Sequence, residues 1–282
     1  MNIFKDTMSE MTYEQVEKLV EQEAIVLFPV GIIEEHGPHL PLGTDIYLAY
    51  KQAHDVWEEL NSMKIPCVIA PPFYLGGVQA LTRHFPGTFA FSKETIMACI
   101  EEYLENLDRF GFRRIVVFND HGDGLHISAI VEAIKNANRK LELQAYWMEY
   151  EYELKEHGFS GEEDYILKLT DMPFEEMFQI SKEPRDAFDV HAGAFETATM
   201  REIYPEAVRE NVLVMLEPTF LQGEQIGKWC NGAAEDKALI PNGYVGDPKG
   251  SQYIETNLKE ADRRIARDIV NSFGKQVNDN YE

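Results

Sequence analysis

Residues 24–45 read Ala24-Ile25-Val26-Leu27-Phe28-Pro29-Val30-Gly31-Ile32-Ile33-Glu34-Glu35-His36-Gly37-Pro38-His39-Leu40-Pro41-Leu42-Gly43-Thr44-Asp45. Ala24 to Val30 is an unbroken apolar run, the pattern of a buried strand, and Gly31 bounds it. Glu34, Glu35, His36, His39 and Asp45 follow, interrupted by Gly37, Pro38, Pro41 and Gly43, so this part is a loop. Open α/β sheets place their ligands at the carboxyl ends of strands. Carboxylates mixed with imidazoles suit Zn, Mn or Fe and leave the choice among them open. Any one polar loop residue is best explained by bonds to nearby backbone. Packing alone does not call for this concentration of ligand types beside a buried strand. Thr44 and Asp45 also stand where a helix from Ile46 to Leu60 begins, so capping and metal binding compete for Asp45.

Outward from this stretch, strands alternate with helices. Thr12 to Gln22 reads as a helix with Thr12 as its cap. Ile65 to Ala70 is a strand ended by Pro71-Pro72. Ser92 to Phe110 is a long amphipathic helix between a serine cap and Gly111. Arg114 to Phe118 is a third buried strand, Leu125 to Asn138 a helix, and Leu141 to Trp147 a fourth strand. This alternation predicts a mainly parallel sheet with helices on both faces, a three-layer α/β/α sandwich, in one domain spanning 1–282. The acidic run from Glu149 to Asp164 reads as a solvated face, with a lid or partner contact as the alternative.

Lys and Arg number 26 against 49 Asp and Glu, a net charge of −23. Nucleic acid and anionic membrane surfaces both need a positive footprint, so neither is expected as a partner. Met1 to Asp6 shows no signal peptide, and no apolar run approaches the roughly 20 residues that span a bilayer. Cys67, Cys99 and Cys230 form no CxxC pair, which points away from a disulfide framework and towards a reducing cytoplasm.

The turn after the third strand, Asn119-Asp120-His121-Gly122-Asp123-Gly124-Leu125-His126, repeats the logic of the first loop: a buried strand ends, glycines turn the chain, and His and Asp sit at the tip. With that second loop in view, Pro29 to Asp45 resembles the signature of the creatininase (creatinine amidohydrolase) family. The resemblance implies two divalent metal ions per subunit, zinc or manganese with iron as a further choice, held by Glu34, His36 and Asp45, with Asp45 bridging. It also implies that His121 binds metal. In creatininases proper the residue two beyond this histidine is a glutamate ligand, and here it is the shorter Asp123. Asp123 is thus a candidate ligand, and the competing reading is a turn carboxylate bonded to backbone amides.

Further matches extend the resemblance over nearly the whole chain. Arg83-His84-Phe85-Pro86-Gly87-Thr88 contains the family's Phe-Pro-Gly-Thr; His84 either lines the pocket or bonds a neighbouring loop. Asp189-Val190-His191-Ala192-Gly193-Ala194-Phe195-Glu196-Thr197-Ala198-Thr199 is similar to the family's His-Ala-Gly…Glu-Thr-Ser segment. It implies a catalytic or substrate-orienting His191 and places Glu196 near the metals, as a ligand or as an acid behind them. Pro241 to Pro248 matches a late family segment, read as a loop before a last helix from Ser251 to Ser272. Val78, Gly122 and Val190 fall on the substrate side. Val78 stands where creatininases carry a small polar residue, and Val190 replaces the glutamate before the histidine.

The family implies a metal-dependent hydrolase that opens a small cyclic amide or related C–N bond by attack of a metal-bound hydroxide. The two valines point away from creatinine itself. The alternatives are hydrolysis of a C–C bond in a cyclic ketone, such as an oxidised inositol, and a non-catalytic metal-binding protein. Family members are commonly hexamers, so a homo-oligomer acting on a small molecule is expected.

Overall fold

The computed structural model describes residues 1–182 and 189–273. The first apolar run forms strand β1 (Ile25–Val30), buried at every position. β2 (Cys67–Ile69), β3 (Arg114–Asn119), β4 (Gln144–Glu149) and β5 (Ile166–Lys168) complete a sheet of order β2-β1-β3-β4-β5. Every pairing in it is parallel. Val30 pairs with Asn119, so β1 and β3 end level with each other and their following loops are neighbours.

Parallel neighbours need crossovers, and helices supply most of them. α1 (Tyr13–Glu21) precedes β1, α2 (Thr44–Ser62) leads to β2, α3 (Lys93–Phe110) to β3 and α4 (Gly124–Lys140) to β4. α5 (Glu151–Glu156) lies between β4 and β5. Then come α6 (Phe174–Met177), β6 (Phe178–Ile180), α7 (Ala194–Ile203), α8 (Glu210–Leu213), α9 (Glu224–Asn231), β7 (Ile254–Thr256) and α10 (Leu258–Phe273). β6 and β7 form a small antiparallel pair.

Side chains of a strand alternate between faces, and the two cores follow that rule. Val26, Phe28 and Val30 pack with Ile96, Ile100 and Leu104 of α3 and Ile130 and Ile134 of α4. Ile25 and Leu27 pack with Val56 and Leu60 of α2 and Ile265 and Ile269 of α10. The expected three-layer α/β/α sandwich is therefore present. Helix ends also follow their sequence signals. Gln15 Oε1 accepts from the Thr12 amide at 2.8 Å, Ser92 Oγ accepts from the Thr95 amide at 3.3 Å, and Gly111 closes α3 at φ 107°.

Two expectations are corrected. The last helix starts at Leu258 and not at Ser251, because Pro248–Tyr253 forms a 3₁₀ turn and Ile254–Thr256 pairs with β6. The acidic run is not simply a solvated face: Glu149 ends β4, Leu154 is fully buried, and the run leads into β5, too short to show periodicity in the sequence. The three cysteines are free. Among the described residues no helix is long and apolar enough to cross a membrane.

Candidate metal centre

The loops after β1 and β3 converge with the first turn of α2. Gly31 permits this approach: a Cβ there would lie 3.0 Å from the Ile46 amide nitrogen. Asp45 is not the cap of α2. Gly43 occupies the cap position, Thr44 Oγ1 donates to the Pro41 carbonyl at 2.8 Å, and the Asp45 carboxylate turns inward, 1 % exposed. Glu34, His36 and His121 are buried beside it.

The hydrogen bonds fix how the imidazoles are used. His36 Nδ1 lies 3.0 Å from the Glu34 carbonyl, which can only accept, so Nδ1 carries the hydrogen and Nε2 faces Asp45 Oδ1 at 2.9 Å. His121 Nε2 lies 3.1 Å from the Gly77 carbonyl, leaving Nδ1 towards Glu34 Oε2 at 3.1 Å and Asp45 Oδ2 at 3.2 Å. Anchoring the outer ring nitrogen on a carbonyl is how metal-binding histidines are usually oriented. Each inner nitrogen then faces carboxylate oxygens, a contact that a proton on the ring or a metal ion between the groups satisfies.

The titration behaviour agrees. Burial pushes the Glu34 carboxyl above its ordinary range. Burial opposes charge on His121, yet Glu34 and Asp45 beside it raise the imidazole to about 9. His36 is raised well above its usual value against the same opposition, chiefly by Asp45. Burial would raise Asp45, but His36 and His121 hold it far below the usual carboxylate range. Glu34 Oε2 and Asp45 Oδ2 are buried without a hydrogen bond. The cluster holds protons where a metal ion would sit, and its carboxylates and imidazoles fit a divalent cation.

Ligand atoms converge here in three groups, each with one donor atom per residue within 4.8 Å of the others: Glu34–His36–His191, which holds no Asp45, and the two triads Glu34–Asp45–His121 and His36–Asp45–Glu196. Asp45 belongs to both, one oxygen turned to each side. Glu196 comes from the first turn of α7; its Oε1 lies 3.8 Å from His36 Nε2, and its other oxygen accepts from the Ala192 amide. His191 stacks obliquely beside His36, ring centres 4.4 Å apart. Its Nε2 lies 2.8 Å from the Glu35 carbonyl, which leaves Nδ1 as the ring's acceptor, and burial with the charge on His36 pulls its pKa down to about 4.

Asp123 is not brought into either triad. It caps α4, with Oδ1 accepting from the Leu125 amide at 2.9 Å and Oδ2 from the Gln79 and Ala80 amides at 2.8 and 3.2 Å. The shorter side chain spends its oxygens on backbone, and Glu196 stands at the open position. His84 is likewise a loop tie, 2.7 Å from the Gly232 carbonyl.

A cavity of about 350 Å³ opens onto the triads, lined by Val78, Gly122, Val190, His191 and Trp229 among others. The three expected substrate-side residues are thus together. Trp229, on α9, was not singled out in the sequence, because a lone Trp on a polar helix is not a ligand type.

The family model for creatininase, described as creatinine amidohydrolase, matches residues 9–256. A mycofactocin precursor peptide peptidase of Mycolicibacterium smegmatis is 33 % identical over 277 residues, 97 % of this chain and 91 % of the relative. A 3-dehydro-scyllo-inosose hydrolase of Thermotoga maritima is 23 % identical over 288 residues, 93 % and 83 % of the two chains. A solved creatininase in a manganese form superposes with a TM-score of 0.68 at 22 % identity, covering 95 % of this chain and 99 % of the other.

Proposed function

Because this chain belongs to the creatininase family, whose members are metal-dependent hydrolases, we propose that it hydrolyses a small amide or related C–N bond at a two-metal centre. The observation that carries this reading is the pair of ligand triads sharing Asp45 at the floor of an open cavity. Glu34, Asp45 and His121 would hold one ion, and His36, Asp45 and Glu196 the other. Zinc or manganese suits this oxygen and nitrogen donor set, with iron as a further choice. When bound, such ions polarise the scissile carbonyl and acidify water.

The chain's own groups do the rest. His191 is neutral at physiological pH and oriented through Nε2 on the Glu35 carbonyl, so Nδ1 takes a proton from the attacking water and returns it to the leaving nitrogen. Burial of Glu34, His36 and Asp45 excludes bulk water and strengthens every charge interaction among them. Val78, 2 % exposed, and Val190 give the substrate cavity apolar walls without side-chain hydrogen bonds. That supports a substrate other than creatinine. The peptidase relative is named for an amide bond, which favours C–N cleavage. The relative named as an inosose hydrolase supports the second reading, opening of a C–C bond in a cyclic ketone.

The test is removal of metal by chelation and its return as Zn or Mn, assayed on a panel of formamides, lactams and cyclic ketones. Turnover should vanish and return. Full turnover by metal-free protein would refute the reading, and the substrate class that responds decides between C–N and C–C cleavage.

A further inference from the structure

A second cavity, of about 330 Å³, adjoins the metal centre. It shares Asp120, His121, Gly122 and Glu196 with the substrate cavity, so the two meet at the ligands. Its walls carry Asp120 after β3, Glu149 at the end of β4, Glu153 of α5, Asp55 of α2 and Asp262 of α10. Lys51 also lines it, but that ammonium is already bonded to Asp55. Met148, Leu169, Phe178 and Phe195 add apolar wall, and Gln52, Asn119 and Thr199 add neutral polar groups.

Two side chains point to a ligand. Asp262 is 4 % exposed, and among the described residues it has no hydrogen-bond or ion-pair partner. Tyr150 is 7 % exposed, and its buried hydroxyl has no partner either. The hydroxyl is within electrostatic reach of Glu149 and Asp262. Buried carboxyls without a counter-charge are costly unless they are neutral or meet a cation. Burial accordingly pushes Asp262 up to about 8 and Glu149 well above its ordinary range. A third metal is not the natural occupant: among the described residues Glu149 and Asp262 belong to no three-donor group, and Asp55 joins one only with His54 and Glu58, which do not line the cavity.

We propose that the second cavity is a subsite for a primary ammonium group of the substrate, carried on a short apolar arm and held by Asp262, Glu149 and the Tyr150 hydroxyl while the scissile bond lies at the metals. The proposal rests on the hydrolase reading above and names its substrate class: amides with a cationic amine on the acyl side. The apolar walls accommodate the methylene arm, and the acids supply acceptors for a group with three donors and no acceptor.

The test uses metal-loaded protein at about pH 8, where an alkylamine is protonated. The matched pair is 5-aminopentanamide and hexanamide. The kcat/KM for the amine should exceed that for the neutral amide by at least about tenfold, the scale of a charge-assisted hydrogen bond, and the ratio should fall to within about threefold in Asp262→Asn and Glu149→Gln. Equal turnover of the pair by the unmodified protein, or an undiminished ratio in both variants, overturns the subsite. Should neither amide be turned over, the choice of bond has failed and direct binding decides. Butylammonium titrated into the same protein should bind at least about tenfold tighter than butan-1-ol, with the difference lost in both variants. Absence of saturable butylammonium binding, or its retention in both variants, overturns the proposal.

Discussion

Asp262→Asn should stabilise the protein at alkaline pH and have little effect near pH 4. Asp262 lies on α10 at 4 % exposure, facing Asp55, Lys51 and Glu59 of α2 and Asp120 beyond β3. Burial, then repulsion from Asp55, raises its carboxyl from 3.8 to about 8, with Lys51 opposing. Below 3.8 folded and unfolded chains both hold this proton. Between 3.8 and about 8 only the folded chain holds it, so the stability it contributes is present at low pH and is lost as pH rises through that window. One unit corresponds to about 1.4 kcal/mol, so the full window is an upper bound of about 6 kcal/mol. Water entering the cavity would halve this to about 3 kcal/mol. Asparagine does not titrate, so its advantage over the native residue grows with pH. At about 2–4 °C per kcal/mol, the difference in Tm between variant and native protein should be roughly 6–12 °C larger at pH 8.5 than at pH 4. Scanning calorimetry of both proteins at equal metal load measures it. A Tm difference that is flat with pH, or that shrinks as pH rises, refutes the reasoning.

Asp45→Ala should lose both metal ions, whereas His121→Ala should lose mainly one, because only Asp45 belongs to both triads; elemental analysis showing unchanged metal in Asp45→Ala would end the bridging assignment. Glu196→Gln should lower metal content, while Asp123→Asn should keep it and cost about 1–2 kcal/mol of stability, because an amide NH2 replaces one of the two oxygens that accept from the Leu125, Gln79 and Ala80 amides; the opposite pattern in metal analysis and thermal melts would move the ligand role back to Asp123. Creatinine should be a poor substrate, with kcat/KM below about 10⁴ M⁻¹s⁻¹ in a steady-state assay with Zn or Mn. Two ligand groups left unpaired against Val78 and Val190 cost about 1–3 kcal/mol each, which is two orders of magnitude or more in rate. An efficient specificity constant would show that neighbouring groups supply the missing bonds.

The sequence by itself determined the layered fold and pointed to most of the cluster of ligand-type residues. The apolar run of β1, the serine and glycine at the ends of α3 and the alternation of elements are local signals, readable because burial on two faces and helix capping each leave a mark within a few residues. Glu34, His36, Asp45 and His121 were singled out by polar loops after buried strands together with the family resemblance, and the adjacency of β1 and β3 in the sheet brings those loops together. Tertiary structure alone decided which carboxylate completes the second triad. Asp123 and Glu196 are equally plausible as letters, and the choice turned on Asp123 meeting the Gln79 and Ala80 amides 44 and 43 positions away. It also decided that Glu149 and Asp262, 113 positions apart and each readable as surface charge, face one cavity beside the metals. Charge at a single position says nothing about the dielectric around it; that depends on which distant helix covers the residue, and for Asp262 the packing of α10 against α2 supplied the answer.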